Sequence, residues 1–342
     1  MILDNQTMFG DALEVLKTIP DESVQMCVTS PPYWGLRDYG HSDQIGLEET
    51  PEEYINRLVL VFREVKRVLK EDGTVWVNIG DSYCSTAPGT KSAPIHIKGC
   101  KQAKKDSFVV NRPQVPTGLK PKDLVGIPWM LAFALRSDGW YLRQDIIWSK
   151  PNPMPESVTD RCTKSHEYIF LLSKSRKYYY DHEAIKEESI TKENRPHGVT
   201  RNRIYNYDSK DNNNPEAYRK NRSLKKGGVP NLNKQQNHSD SISTFDLKNK
   251  RSVWFQSTKP YSGAHFAVYP PELITDCIKA GSREGDIVLD PFFGSGTTGE
   301  VCLRLYRAYL GIELNKDFEP LIEERLKPFK NDLFAHLMEE VE

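Results

Sequence analysis

Two short stretches carry residues able to do chemistry. The first is Val28–Gly35, VTSPPYWG. Successive prolines fix φ and remove two backbone donors, which leaves the carbonyls around Ser30 and Pro31 as unshared acceptors at a strand end. Such acceptors suit an exocyclic amino group on a planar base. The Ser30 hydroxyl and the Pro31 carbonyl can take its two N–H bonds and draw the nitrogen lone pair out of conjugation, which makes the nitrogen nucleophilic. Pro32 completes the rigid corner. Tyr33 adds a flat face for stacking a base, a contact worth roughly 1–3 kcal/mol. Seen alone, PPY also describes a strand end punctuated by proline and followed by core aromatics, so the rest of the chain must decide.

The second stretch is Asp286–Val301, DIVLDPFFGSGTTGEV. Gly294, Gly296 and Gly299 form G-x-G-x-x-G between a buried apolar strand and a helix, the context that gives this pattern meaning. Without Cβ atoms, backbone amides can approach a ligand, and the helix start favours partial negative charge. Glu313, ending the next strand in YLGIELN, stands where a carboxylate would accept hydrogen bonds from ribose hydroxyls. A nucleoside-containing cofactor follows. NAD and FAD enzymes share the pattern, but Asp290 and Pro291 at the strand tip tell against them. An anionic carboxylate suits the ammonium of an amino acid and repels a pyrophosphate, which favours S-adenosylmethionine.

These residues need strands and helices to position them. TMFGDALEVL reads as a strand running into a helix, and SVQMCVTS as a strand ending at the proline corner. In PEEYINRLVLVFREVKRVLK, residues Tyr54, Leu58, Val61, Phe62, Val65 and Leu69 recur at helical spacing with Pro51 at the start. Asp72-Gly73 is expected to turn the chain into the strand TVWVNIG, completing an α/β repeat of a parallel sheet buried on both faces. GIPWMLAFALRSDG reads as a helix closed by Gly139, and WYLRQDIIWSKPNP as a strand ending in a second proline corner. SHEYIFLLSKSRKYYYD offers a strand and a hairpin partner. The C-terminal DFEPLIEERLKPFKNDLFAHLMEEVE is helical, with a break expected at Pro328 and a new cap at Asn331.

The chain has 342 residues, enough to bury a large core, with 38% apolar and 27% charged residues and a formal net charge of zero. No apolar run approaches a membrane span, and the N-terminus carries acidic residues where a signal peptide needs basic ones, so a cytoplasmic protein is expected. Six scattered cysteines, without C-x-x-C or metal-ligand spacing, read as reduced core residues, and no metal is expected. Zero net charge hides a division. Residues 84–125 hold 8 basic against 2 acidic side chains, residues 182–251 hold 15 against 9, and the remainder carries the balancing −12. An acidic body with two basic insertions is one way a phosphate-binding surface sits on a neutral protein. Residues 84–125, rich in Pro, Gly, Ser and Lys, read as a mobile loop. Residues 182–251 are polar, Asn-rich and almost without aliphatic periodicity, and such composition buries little surface unaided.

With these motifs in hand, the chain resembles the β group of DNA amino-methyltransferases, which methylate cytosine N4 or adenine N6. The resemblance rests on Ser30-Pro-Pro-Tyr33 near the N-terminus and Asp290-Pro-Phe-Phe-Gly-Ser-Gly296 near the C-terminus. WSKPNPMPES, SHEYIFLLSKSRKYYYD and STKPYSGAHFAVYPPELI also resemble the family. It implies a Rossmann-like seven-stranded α/β sheet with circularly permuted motif order. Residues 1–181 would form the catalytic half, 182–251 a target-recognition insertion, and 252–342 the cofactor-binding half. S-adenosylmethionine would sit against Asp290, Pro291, Phe292, Gly294, Gly296, Thr297 and Glu313, with Asp11 near the adenine and Lys259 and His265 at the methionine end. The stretch holding Lys259 and His265 departs from the family's usual His-Pro pairing.

The implied partner is double-stranded DNA bearing a flipped base, with a restriction endonuclease as functional partner and a monomeric or homodimeric enzyme. Arg201, Arg203, Arg219, Arg222, Lys225 and Lys226, interleaved with Tyr205 and Tyr207, would contact it. Carbon-5 cytosine methylation needs a thiolate, typically in a Pro-Cys pair, and no proline precedes any cysteine here. Serine at position 30 resembles most cytosine-N4 enzymes, whereas aspartate there would resemble most adenine enzymes. Cytosine-N4 transfer is therefore expected, with adenine-N6 transfer the alternative. A DNA-binding module of the same fold without turnover is the third reading, opposed by intact Ser30, Tyr33, Asp290 and Glu313.

Overall fold

The structure, a computed structural model, describes residues 5–35, 44–84, 118–188, 247–258 and 269–339, with side chains as far as residue 329. The chain divides into two compact units, Met1–Ile185 with Asn249–Glu342, and Lys186–Lys248. In chain order the first half of the larger unit holds β1 (Gln6–Phe9), α1 (Ala12–Leu16), β2 (Val24–Thr29), α2 (Pro51–Val68), β3 (Leu69–Ile79), α3 (Ile127–Ser137), β4 (Tyr141–Ser149) and β5 (His166–Ser173). The smaller unit is described at its two ends, where β6 (Glu187–Glu188) and β7 (Leu247–Lys248) pair antiparallel. The larger unit then resumes with β8 (Val253–Phe255), α4 (Pro271–Gly281), β9 (Ile287–Asp290), α5 (Thr297–Arg304), β10 (Ala308–Glu313) and α6 (Glu319–Glu339).

β2 shows why this is a covered sheet. All six residues of VQMCVT are buried, as a strand packed on both faces requires. Successive side chains point to opposite faces. Cys27 joins a core shared with α1, α2 and α3, while Met26 and Val28 join the opposite core with α4, α5 and α6. The same alternation runs through β3, where Val75 and Val77 face the first core and Trp76 the second. On α2, the Thr50 hydroxyl accepts from Glu53 N–H and the Glu53 carboxylate accepts from Thr50 N–H, with Pro51 at the first helical position. That capping box starts the helix, and Tyr54, Leu58, Phe62 and Val65 bury its apolar face.

The sheet order is β1-β10-β9-β2-β3-β5-β4-β8. β1 through β3 pair in parallel, β5 runs antiparallel to both neighbours, and β8 lies parallel to β4. The sheet thus has eight strands where seven were expected. The extra one forms because Trp254 is buried and the Trp148 indole N–H donates to the Gln256 carbonyl at 2.7 Å, drawing the returning chain onto the β4 edge.

Three further expectations need correction. Asp72-Gly73 lies inside β3, in an irregularity opposite Gln25, and Gln25 Nε2 donates to Asp72 Oδ1 at 3.0 Å. The hairpin partner of β5 is β4, not the tyrosine-rich segment after it. α6 continues through Pro328, which costs one backbone donor within the helix without ending it. Of the basic loop 84–125, residues 85–117 lie outside the described residues. Its ends are pinned together, Cys84 N–H donating to the Asp123 carbonyl at 2.9 Å and Val125 N–H to the Ser82 carbonyl at 3.0 Å. No described helix is long and apolar enough to cross a membrane.

Candidate active site

Between β9 and β2 the topology reverses. From β9 the chain passes through α5 to β10 on one side, and from β2 through α2 to β3 on the other. In an open parallel sheet, ligands bind in the crevice outside the carboxyl ends of the strands at such a reversal. The proline corner leaves the end of β2, and the glycine loop leaves the end of β9. One hydrogen bond ties them, Thr29 Oγ1 donating to Asp290 Oδ1 at 2.6 Å. Two motifs remote in sequence therefore flank one crevice.

On the cofactor side Asp290 is buried at 1% exposure. Its Oδ1 also accepts from Phe292 N–H at 3.1 Å, while Oδ2 accepts from Thr298 Oγ1 and lies 3.1 Å from the Tyr269 hydroxyl. Burial raises its pKa, against the pull of these donors. The Tyr269 hydroxyl also lies 2.6 Å from Thr298 Oγ1, so the two hydroxyls share one hydrogen-bond network with Oδ2. The sequence assigns this carboxylate to the ligand's ammonium; in the structure its oxygens also fasten the loop to β2 and α5. Pro291 is buried beside it and Phe292 half-buried.

Gly294 and Gly296 have φ of 55° and 82°, left-handed values that let the loop turn into α5. The ring of Phe293 fills the space beneath, and a Cβ at Gly311 on β10 would come within 2.4 Å of it. Arg325 from α6 donates to Ser295 Oγ at 3.0 Å and also to Thr297 Oγ1, so the Thr297 hydroxyl serves the loop's own framework.

Glu313 is 9% exposed. Its Oε2 accepts from Gly294 N–H at 2.7 Å and its Oε1 from Asn315 N–H at 2.9 Å. Burial pushes its pKa to about 7, Asp290 nearby adding to the rise while the backbone donors oppose it. A buried carboxylate held by amides yet pushed toward neutrality is one that vicinal hydroxyl donors would stabilise as the anion, so these residues fit a ribose. Gly10 N–H donates to the Glu313 carbonyl at 2.9 Å, which brings Asp11 to the same sheet edge. The Asp11 carboxylate accepts from Glu14 N–H at 3.1 Å and caps α1.

On the corner side the Pro32 carbonyl accepts from the Tyr54 hydroxyl at 2.8 Å, whereas among the described residues no donor reaches the Pro31 carbonyl. Ser30 is half-buried. The Tyr33 hydroxyl donates to Glu167 Oε2 at 2.7 Å. Burial and the Glu167 charge hold its pKa well above the usual value, opposed by a hydrogen bond with Ser30. Trp34 packs under the corner, its indole N–H donating to the Glu48 carbonyl at 2.9 Å. Lys259, His265, Arg201, Arg203, Arg219, Arg222, Lys225 and Lys226 lie outside the described residues.

Sequence reasoning missed Thr29, Tyr269, Thr298, Arg325 and Glu167. Thr29 stood inside the quoted corner motif and Thr298 inside the glycine motif. Tyr269 and Glu167 stood inside segments quoted for their family resemblance, without a role, and nothing local marked Arg325, whose partners are remote in the chain.

A largely parallel sheet with one reversed strand near its edge, a glycine loop at the topological switch and a ribose-fitting carboxylate after the next strand define the Rossmann-like class of nucleoside-cofactor methyltransferases. Residues 24–324 match the family model for DNA methylases acting at N6 or N4. Among its relatives are the type II methyltransferases M.Cfr9I of Citrobacter freundii, 48% identical over 95% of this chain and 89% of that protein, and M.SmaI of Serratia marcescens, 47% identical over 93% and 89%. In fold the chain resembles the PvuII cytosine-N4-specific DNA methyltransferase, with a TM-score of 0.57 at 16% identity over 97% of this chain and 93% of that one. It also resembles a Thermus thermophilus protein solved with S-adenosyl-L-methionine, with a TM-score of 0.54 at 22% identity over 95% and 94%. The chain belongs to the N6/N4 DNA methylase family.

Proposed function

We propose that the protein methylates the exocyclic N4 amino group of cytosine at a specific site in double-stranded DNA. The observation that carries this reading is the Thr29–Asp290 hydrogen bond, which sets a corner bearing Ser30 rather than aspartate beside the cofactor loop. When bound, S-adenosylmethionine supplies an electrophilic methyl group on a sulfonium. Glu313 would receive the ribose hydroxyls, and the backbone at Gly294 and Gly296 would line the site, with Phe292 beside them. Across the crevice, the Ser30 hydroxyl and the Pro31 carbonyl accept the two N–H bonds of the target amine and aim its lone pair. Tyr33 stacks the base, offsetting the few kcal/mol that flipping costs. Acceleration comes from holding the reacting groups in line and from acceptors already aimed at the charge that develops on the amine.

Residues 182–251 are assigned to target recognition, with Arg201, Arg203, Arg219, Arg222, Lys225 and Lys226 contacting DNA. Their basic and aromatic composition supports this. The relatives' type II names support pairing with a restriction endonuclease.

The test is product identity. The protein is incubated with labelled S-adenosylmethionine and unmethylated DNA, the DNA is digested to nucleosides, and the labelled product is identified by mass. N4-methylcytosine is expected. N6-methyladenine would replace cytosine by adenine as the target, and absence of label would refute both.

A further inference from the structure

We propose that Glu167 is a positioning residue for methyl transfer. Paired with Lys150, it anchors the Tyr33 phenol and so fixes the aromatic face offered to the base. This inference rests on the role given to Tyr33 above.

Three other segments converge on this carboxylate. Glu167 is the second residue of β5, Lys150 follows the end of β4, Asn78 sits near the end of β3, and Tyr33 lies in the corner after β2. Glu167 Oε2 accepts from the Tyr33 hydroxyl at 2.7 Å and from Asn78 Nδ2 at 3.3 Å, while Oε1 pairs with Lys150 Nζ. Asn78 is itself fixed, donating to the Tyr168 carbonyl at 3.1 Å. Lys150 Nζ lies 4.2 Å from the centroid of the Trp148 ring. The pair is largely shielded, with side-chain exposures of 18% for Lys150 and 14% for Glu167. A charged acceptor held on one oxygen by a cation and on the other by an amide has little freedom to follow the phenol, so the phenol must come to it.

The ring edge beside the hydroxyl is confined as well. A Cβ at Gly80 would lie 2.8 Å from Tyr33 Cε2, so the ring edge rests on backbone that only glycine leaves open. With the hydroxyl bound to Glu167 and the neighbouring ring edge against Gly80, the ring cannot turn about its side-chain torsions without losing one of these contacts. Burial keeps the phenol protonated, so it donates to Glu167 throughout the working pH range. This accounts for a tyrosine, where a phenylalanine would offer the same stacking area, and for a glutamate on a strand remote from the motif. It also orders the surface before DNA arrives, and pre-ordering lowers the entropic cost of fixing a base against it.

A double-mutant cycle tests the proposal. Glu167→Gln keeps the volume but leaves Lys150 and Tyr33 competing for one carbonyl oxygen, and Tyr33→Phe removes only the hydroxyl. Methyl transfer from tritiated S-adenosylmethionine to unmethylated plasmid DNA gives kcat and KM for DNA, and fluorescence titration gives the Kd for S-adenosylmethionine. Each single variant should lose roughly tenfold in kcat/KM for DNA, with the S-adenosylmethionine Kd within about twofold of wild type. The double variant should fall no more than about threefold below the weaker single, because both changes cut the same link.

Multiplied losses in the double variant, near a hundredfold, would overturn the proposal, as would a loss of S-adenosylmethionine affinity in step with activity. Lys150→Gln leaves Glu167 in place and should shift kcat/KM in the same direction, which keeps the test decisive if Glu167→Gln does not fold. Unchanged activity in Lys150→Gln would refute the charge pair's part. A wild-type protein that labels no base amino group would sink the reading of the site and this inference with it. An active wild type with a multiplicative cycle would sink the inference alone.

Discussion

The Glu313 carboxyl gives the sharpest quantitative test of the cofactor site. Its pKa rises from the ordinary 4.5 to about 7 on burial. Because the folded value exceeds the unfolded one, the group costs nothing below pH 4.5. The cost grows as pH rises from 4.5 through 7 and reaches about 3 kcal/mol above that window. Ribose hydroxyls donated to the carboxylate favour its anion, so cofactor binding must release a proton wherever the free protein holds one. If only the ionised form receives the ribose, about one-tenth of the protein is competent at pH 6 and nearly all at pH 8. Apparent Kd for S-adenosylmethionine should therefore weaken about tenfold from pH 8 to pH 6.

Isothermal titration calorimetry over that range, in two buffers of different ionisation enthalpy, reads both the Kd and the proton released. Glu313→Gln should flatten the profile and lose roughly ten- to a hundredfold at pH 8, the worth of hydrogen bonds to a charged acceptor. Asp290 is also raised by burial, but it remains in the Gln variant and so acts as an internal control. A flat wild-type profile, or the same slope in Glu313→Gln, would refute the assignment of Glu313 to the ribose.

Two further predictions concern the framework of the loop. Gly311→Ala would place a methyl group 2.4 Å from Phe293 Cγ, and with that ring stacked on Tyr309 at 5.5 Å the strain should cost at least ~1–3 kcal/mol. Urea melts should show the loss, and S-adenosylmethionine affinity should fall with it because Phe293 precedes Gly294. Thr29→Val removes one donor from the buried Asp290 carboxylate and should destabilise by ~1–3 kcal/mol. Since losing the donor raises the Asp290 pKa further, the penalty should be largest where the carboxylate is ionised and shrink as pH falls through its pKa, and a loss independent of pH in melts would contradict that account.

What the sequence discloses divides along a physical line. Periodicity is local, so the buried run of β2 and the helical stripe of α2 were readable, as were the glycine loop between strand and helix and the proline corner after β2. Contacts between remote segments write no local pattern. Pro328 looks like a helix breaker because its missing donor is local, yet Ile322 and Leu326 bury the same helix against the second core, and packing outweighs one lost hydrogen bond. Asp72-Gly73 looks like a turn for the same reason, yet Gln25 holds it in an irregular strand. Asp290 is the most instructive case. Its charge and its place at a strand tip read as a ligand-facing carboxylate, but charge alone does not disclose that Thr29, Thr298 and Phe292 N–H donate to it from within the protein. Those donors tie the Asp290 carboxylate to β2 and to the glycine loop. At the same edge burial pushes the Glu313 pKa to about 7, so new donors to its carboxylate would favour the anion.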